Sequence, residues 1–324
     1  MIKNKILKPL PFWLIGLIFT VALQNGIFLV SQPQDLAINK TQTPEPSLPI
    51  QPRVLGADTS IRGQSPKAET FIKQIKAPTL ESIEAKSFLA FDLSTGQTLL
   101  EKNPDEKLWI ASLTKLMTAL VVYKNANLNT SLTVEPKDTL AVNPALGLIP
   151  GDELKVLDVF NAMLIGSCND AALALSNYTA STTGQSFIKL MNQQAKALGM
   201  ANSNFSNALG FDSNYNYSTA RDLKILISVT EKLSAFTDLG RRASYKFTAS
   251  SGNTYATSAT NKLIKNHPDI SAIKTGYTDG AGGAMASKIS MGNHKIVILV
   301  LDSPDREADT LKLKDEVTSS FKWE

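Results

Sequence analysis

Strand-like segments stand at both ends of the globular part of this chain, and helix-like segments fill its middle. Residues 87–93 are apolar with Asp92 near the end, Ser94-Thr95-Gly96 is a turn signal, and residues 97–102 resume the strand pattern. The pair reads as a β-hairpin. Far along the chain, residues 270–278, 284–290 and 295–302 read as three further strands, and a helix follows from about 304 to 321. Between these ends lie helical patterns over about 112–124, 157–165, 184–198 and 219–233, with a short strand near 132–134 and a mainly irregular stretch, holding one short strand pair, over 245–262. Strands supplied from both ends share one antiparallel sheet when the middle of the chain loops out as a helical subdomain. The expected fold class is therefore α+β.

The chain has 324 residues, and 43% are hydrophobic, enough for one sizeable core. Residues 77–324 form the expected globular domain. Ahead of them, Lys3, Lys5 and Lys8 precede residues 12–30, which carry no charge. Such a run spans a bilayer as a helix, and the lysines favour a cytoplasmic N-terminus. Residues 1–30 are thus expected to be a single-pass anchor with the remainder outside the cytoplasm. A cleaved signal peptide is the competing reading, and no Ala-x-Ala site follows the run. Residues 31–76, rich in Pro, Gln, Ser and Thr, read as a disordered spacer, with a short helix expected over 69–77.

Several classes of function are disfavoured. The net charge is +4 with no basic patch, so nucleic acid is not an expected partner. Cys168 is the sole cysteine, which excludes an intrachain disulfide framework. His267 and His294 are the only histidines and lack metal-ligand spacing, which argues against structural zinc and against a Ser-His-Asp mechanism.

Three polar stretches interrupt the apolar pattern. In the first, Ser112 and Lys115 lie one helical turn apart among Leu113, Leu116, Met117 and Leu120. A serine hydroxyl needs a base, and an amine in a dry pocket, its pKa lowered, supplies one. Backbone N–H groups at the helix start can stabilise charge on a carbonyl oxygen. By itself the spacing fits a helix start with a solvated lysine equally well. The second stretch, Ser167-Cys168-Asn169-Asp170, puts a hydroxyl and an amide between two apolar runs; the plainer reading is a turn with Asn169 or Asp170 as a helix cap. The third, Lys274-Thr275-Gly276-Tyr277, ends a strand. Lysine beside threonine suits a carboxylate, and Gly276 lets another backbone approach. An edge strand with a polar end is the alternative.

Taken in order, Ser-x-x-Lys, Ser-x-Asn and Lys-Thr-Gly form the set found in penicillin-binding proteins and class A β-lactamases. With the flanking text Ala-Ser-Leu-Thr-Lys-Leu-Met-Thr-Ala, Ser-Cys-Asn-Asp-Ala-Ala, Tyr-Ser-Thr-Ala-Arg-Asp-Leu and Lys-Thr-Gly-Tyr-Thr, residues 80–322 resemble the low-molecular-weight penicillin-binding proteins, serine-type D-Ala-D-Ala carboxypeptidases. The resemblance implies a β-lactamase/transpeptidase-like fold with a five-stranded antiparallel sheet. It implies that Ser112 is the acylated nucleophile, Lys115 the base for acylation, and Ser167 a proton relay to the leaving amine. Asn169 would hold the substrate amide, Lys274 supply positive potential and Thr275 bind the terminal carboxylate. The N–H groups of Ser112 and Tyr277 would form the oxyanion hole. No metal or organic cofactor is implied. The implied substrates are peptidoglycan stem peptides, with β-lactams as covalent inhibitors.

The chain departs from the family pattern in having Ile110 where proline is frequent and Cys168 where glycine is frequent. Arg306 is a candidate for the family arginine near the substrate carboxylate. Cys168 could make the site thiol-sensitive, or be a buried, unreactive side chain. A D,D-endopeptidase acting on cross-links would use the same residues. A β-lactamase would need a further base, and no Glu-x-x-Leu-Asn pattern is present. A cell-wall binder without activity would not need all the polar motif residues.

Overall fold

The computed structural model describes residues 72–141 and 143–323. The expected anchor at 1–30 and nearly all of the expected spacer lie outside the described residues. Among the described residues, no helix is long and apolar enough to cross a membrane.

The elements run β1 (Ile72–Gln74), β2 (Ser87–Asp92), β3 (Thr98–Lys102), α1 (Thr114–Asn125), β4 (Ser131–Thr133), β5 (Glu153–Lys155), α2 (Val156–Gly166), α3 (Asn169–Thr183), α4 (Phe187–Leu198), α5 (Ala220–Thr230), α6 (Ser234–Thr237), β6 (Ser244–Thr248), β7 (Thr254–Ser258), α7 (Leu263–Asn266), β8 (Ile270–Thr278), β9 (Gly282–Met291), β10 (His294–Ser303), α8 (Arg306–Ser320) and β11 (Phe321–Trp323). One five-stranded sheet has the order β3-β2-β10-β9-β8, and all its pairings are antiparallel. The strands at the two ends of the globular part thus meet where β2 pairs with β10, with Leu89 opposite Leu299.

Alternation along the central strands sorts side chains onto two cores. Leu89, Phe91, Val297, Leu299 and Leu301 face the large cluster built with α1 to α5. Phe88, Ala90, Ile296, Ile298 and Val300 join Leu313 and Val317 of α8 on the other face. Covering both faces explains why these strands read as nearly continuous apolar runs rather than alternating ones. Phe160 of α2 packs edge-on against Phe236 of α6, with ring centroids 5.4 Å apart. Asp309 of α8 fastens that helix to the chain before the sheet. Its carboxylate accepts from the N–H groups of Glu84 and Ala85 at 3.1 and 2.8 Å and from Ser303 Oγ at 2.7 Å.

Two local expectations need correction. Residues 72–74 are a strand, not part of a helix or spacer: β1 pairs with β11, Ile72 opposite Trp323. The helix expected from Gly184 begins at Phe187; Gly184 is the left-handed C-cap of the preceding α3. Thr219 does cap α5 by accepting from the Asp222 N–H. The Asp222 carboxylate accepts from the Asn202 N–H at 2.8 Å and from Ser203 Oγ at 2.7 Å.

Asp309→Ala is expected to lower folding stability by about 3 kcal/mol, since three donors lose a charged, buried acceptor. A urea titration checks this. A loss under about 1 kcal/mol would show that the carboxylate is replaceable.

Candidate active site

Ser112 does not sit in the α-helix itself. It lies in a single 3-10 turn, Ala111–Leu113, that runs directly into α1. Ala111 there has φ +46, a left-handed conformation uncommon for alanine. Lys115 is in the first turn of α1 and is fully buried. Its Nζ lies 2.9 Å from Ser112 Oγ, 2.7 Å from Asn169 Oδ1 and 2.5 Å from the Leu209 carbonyl oxygen. Burial pushes this amine down from 10.5 to about 7. A neutral amine has two hydrogens and one lone pair. Asn169 Oδ1 and the Leu209 carbonyl accept only, so they take the hydrogens, and the lone pair is left facing the Ser112 hydroxyl.

Ser167 ends α2 in the left-handed region, at φ +60. This sharp corner brings α3 back at once, with Asn169 as its first residue. Asn169 donates from Nδ2 to the Asn143 carbonyl at 3.3 Å, and its own N–H donates to the Pro144 carbonyl at 2.7 Å. Asp170 does more than cap a helix. Its carboxylate accepts the N–H groups of Leu146, Gly147 and Leu148, which pins the loop that contacts Asn169. Cys168 is 1% exposed, its thiol is pushed up by burial, and its Sγ lies 3.5 Å from Thr257 Oγ1. These observations favour the unreactive reading of that thiol.

The third stretch is carried by β8, an edge strand whose polar end faces the other two stretches. Lys274 is buried and donates to Ser167 Oγ and to the Thr275 carbonyl, both at 2.8 Å. Burial, and then the nearby Lys115, hold its pKa well below the usual lysine value. Thr275 Oγ1 donates to Thr260 Oγ1 at 2.6 Å. A Cβ on Gly276 would stand 2.7 Å from the Ser112 nitrogen and 2.8 Å from Ala111 Cβ. Glycine is needed here so that the strand can pass the serine turn. Arg306, the candidate for a carboxylate-binding arginine, donates from Nη1 to the Gly276 carbonyl at 2.6 Å. Tyr277 is 66% exposed at the rim. Beyond it, Thr278 Oγ1 donates to Asp212 at 2.6 Å, tying the strand end to the loop before α5.

The structure thus brings Ser112, Lys115, Ser167, Asn169, Lys274, Thr275 and Gly276 into one polar cluster. Three contributors were not singled out from sequence: the Leu209 carbonyl, Thr260 and Asp170 as a loop pin. A backbone carbonyl leaves no mark in residue type, although Asn207-x-x-Gly210 is a tight-turn signal. Among the described residues no group of His, Cys, Asp and Glu is placed to hold a metal ion.

Residues 73–305 match the D-alanyl-D-alanine carboxypeptidase family of peptidases. The chain is 33% identical over 250 residues to the D-alanyl-D-alanine carboxypeptidase DacC of Escherichia coli, covering 73% of this chain and 60% of that protein. It therefore spans about three fifths of the length of that relative. It is 31% identical over 231 residues to a D-alanyl-D-alanine endopeptidase of Pseudomonas aeruginosa, covering 70% of this chain and 74% of that one. Among solved structures, a Streptomyces DD-transpeptidase superposes with a TM-score of 0.69 at 29% identity, over 76% of this chain and all of the other. With residues 73–305 matched, well over half its length, and with the three motif stretches gathered in one polar cluster, the chain belongs to the D-alanyl-D-alanine carboxypeptidase family.

Proposed function

We propose that this protein is a serine D-Ala-D-Ala carboxypeptidase that trims the terminal D-alanine from peptidoglycan stem peptides. The observation that carries this is the buried Lys115 amine, 2.9 Å from Ser112 Oγ and lowered by burial to about 7. Ser112 Oγ attacks the penultimate D-alanine carbonyl carbon while its proton passes to Lys115 Nζ. The oxyanion is held by the N–H groups of Ser112 and Tyr277, for which the close approach of β8 at Gly276 is the support. The C–N bond then breaks, and the leaving amine takes its proton from Lys115 by way of Ser167. Water hydrolyses the ester, restoring Ser112 and the acid product. Lys274 and Thr275 receive the terminal carboxylate; the 2.8 Å contact of Lys274 with Ser167 places that amine beside the relay. A β-lactam enters by the same attack, leaving an acyl group on Ser112.

Mass spectrometry of muropeptides incubated with the protein is expected to show loss of one alanine, with Ser112→Ala inactive. Equal trimming by Ser112→Ala would overturn the assignment. The match to a named endopeptidase, three quarters of whose length is covered, keeps cross-link cleavage as the second reading. Release of monomers from purified cross-linked dimers, without loss of terminal alanine, would select it.

Acylation of Ser112 by a fluorescent penicillin is expected to follow the unprotonated fraction of Lys115. The rate falls about tenfold per pH unit below an inflection near 7 and levels above it. A rate that does not change with pH through this range would show that the amine is not the base; a limb centred near 10.5 would show that burial does not lower it.

We further propose that residues 1–30 export the chain and anchor it. The support is the uncharged run at 12–30 behind three lysines. Full-length protein is expected to stay in the membrane fraction after alkaline extraction. A soluble mature form starting beyond residue 30 would replace the anchor with a cleaved signal peptide.

A further inference from the structure

The lone pair of Lys115 is aimed by two acceptors, and one of them is a main-chain carbonyl in a loop. That loop, residues 206–211, has no regular structure of its own. At its start Ser206 N–H donates to Asn216 Oδ1 at 3.1 Å, and within it one side chain gathers the main chain. Asn207 Oδ1 accepts from the N–H groups of Leu209, Gly210 and Phe211 at 3.2, 2.7 and 3.0 Å. Its Nδ2 donates back to the Phe211 carbonyl at 3.0 Å. With these three N–H groups gathered on one oxygen, consecutive carbonyls project outward onto α1. Ala208 O accepts from Thr118 Oγ1 at 2.7 Å, and Leu209 O takes a hydrogen from Lys115 Nζ. Gly210, at φ +94, lets the loop lie against the serine turn: a Cβ there would stand 2.0 Å from the Ala111 carbonyl oxygen.

We propose that Asn207 is a positioning residue for the reaction, acting through the Leu209 carbonyl to keep the Lys115 lone pair on Ser112 Oγ. The inference rests on the reading of Lys115 as the base. Its physical content is a count of hydrogens. If the Leu209 carbonyl moves away, one amine hydrogen loses its acceptor. The nearest remaining oxygen is Ser112 Oγ, so the hydrogen turns there and the lone pair turns away. The amine would then donate to the hydroxyl whose proton it must accept. A displacement of about 1 Å in such a group costs about a hundredfold in rate.

The test measures penicillin acylation per active site, using protein titrated for competent sites, across pH. For Asn207→Ala the maximal acylation rate constant is expected to fall between about tenfold and a hundredfold, with the half-saturating penicillin concentration unchanged. Asn207→Asp keeps the accepting oxygen and adds a negative charge near the amine. The other ionisable groups beside Lys115 are Lys274 on β8 and the Cys168 thiol between α2 and α3, and both variants leave them in place. Asn207→Asp is expected to lose only severalfold in rate and to carry the acid limb to higher pH, because a carboxylate favours the protonated amine.

A purely structural role for Asn207 would reduce the titratable fraction or the melting temperature and leave the per-site rate and the limb where they were. That result overturns the proposal. Should Asn207→Ala fail to fold, the Asn207→Asp limb decides alone: an upward move supports the coupling and a fixed limb ends it. Failure of the unmodified protein to acylate at Ser112 would sink the proposed function, and the inference with it. Unaltered acylation by both variants would sink the inference only.

Discussion

An amine sealed away from water is the constraint on which the rest of this site depends. Lowering Lys115 from 10.5 to about 7 means that charging it costs roughly 5 kcal/mol more here than in solvent. A second buried amine, Lys274, adds repulsion to the same pocket. The protein accepts that cost because each polar atom of the pair has a specific partner. Lys115 is met by oxygens of Ser112, Asn169 and Leu209, and Lys274 by Ser167 and the Thr275 carbonyl. Unmatched, either nitrogen would be a defect in the core.

Holding those partners requires pieces that do not move. The serine turn is backed by α1, whose first nine residues are all buried. The Asn169 corner is made by two packed helices, and β8 belongs to a sheet covered on both faces. Two residues other than glycine adopt left-handed backbone next to the chemistry, Ala111 and Ser167. Each such residue costs on the order of 1 kcal/mol and persists when its surroundings leave no alternative. Here the alternative would swing Ser112 away from the strand or open the corner that presents Asn169.

The fold was legible in the sequence wherever side chains of one kind recur at one period. The β2–β3 hairpin, the three C-terminal strands and α8 all fell within a residue or two of their expected bounds. The three motif stretches were visible because polar residues in apolar runs are conspicuous. What escaped was set by main chain or by distant partners. β1 depends on pairing with β11 at the other end of the domain, which no local window can show. The Leu209 carbonyl has no residue code, and the nearby stretch read only as a polar, turn-rich loop. Asp170 looked like a helix cap because Asp often is one. That its oxygens gather the N–H groups of Leu146, Gly147 and Leu148 follows only from where that loop crosses.

The place of β10 has a consequence for how the chain is made. This middle strand of the sheet, His294–Ser303, is synthesised long after β2, Ser87–Asp92, yet it is the partner that β2 must find. All six residues of β2 are buried in the finished structure. Until the C-terminal strands emerge, the first hairpin has neither its neighbour nor its covering helix α8. Pairing across such a sequence separation is slow, and the waiting edge is prone to misassociation. The growing polypeptide therefore has to keep β2 and β3 out of trouble until β10 and α8 arrive, and the catalytic cluster cannot be complete before β8 delivers Lys274 and Thr275.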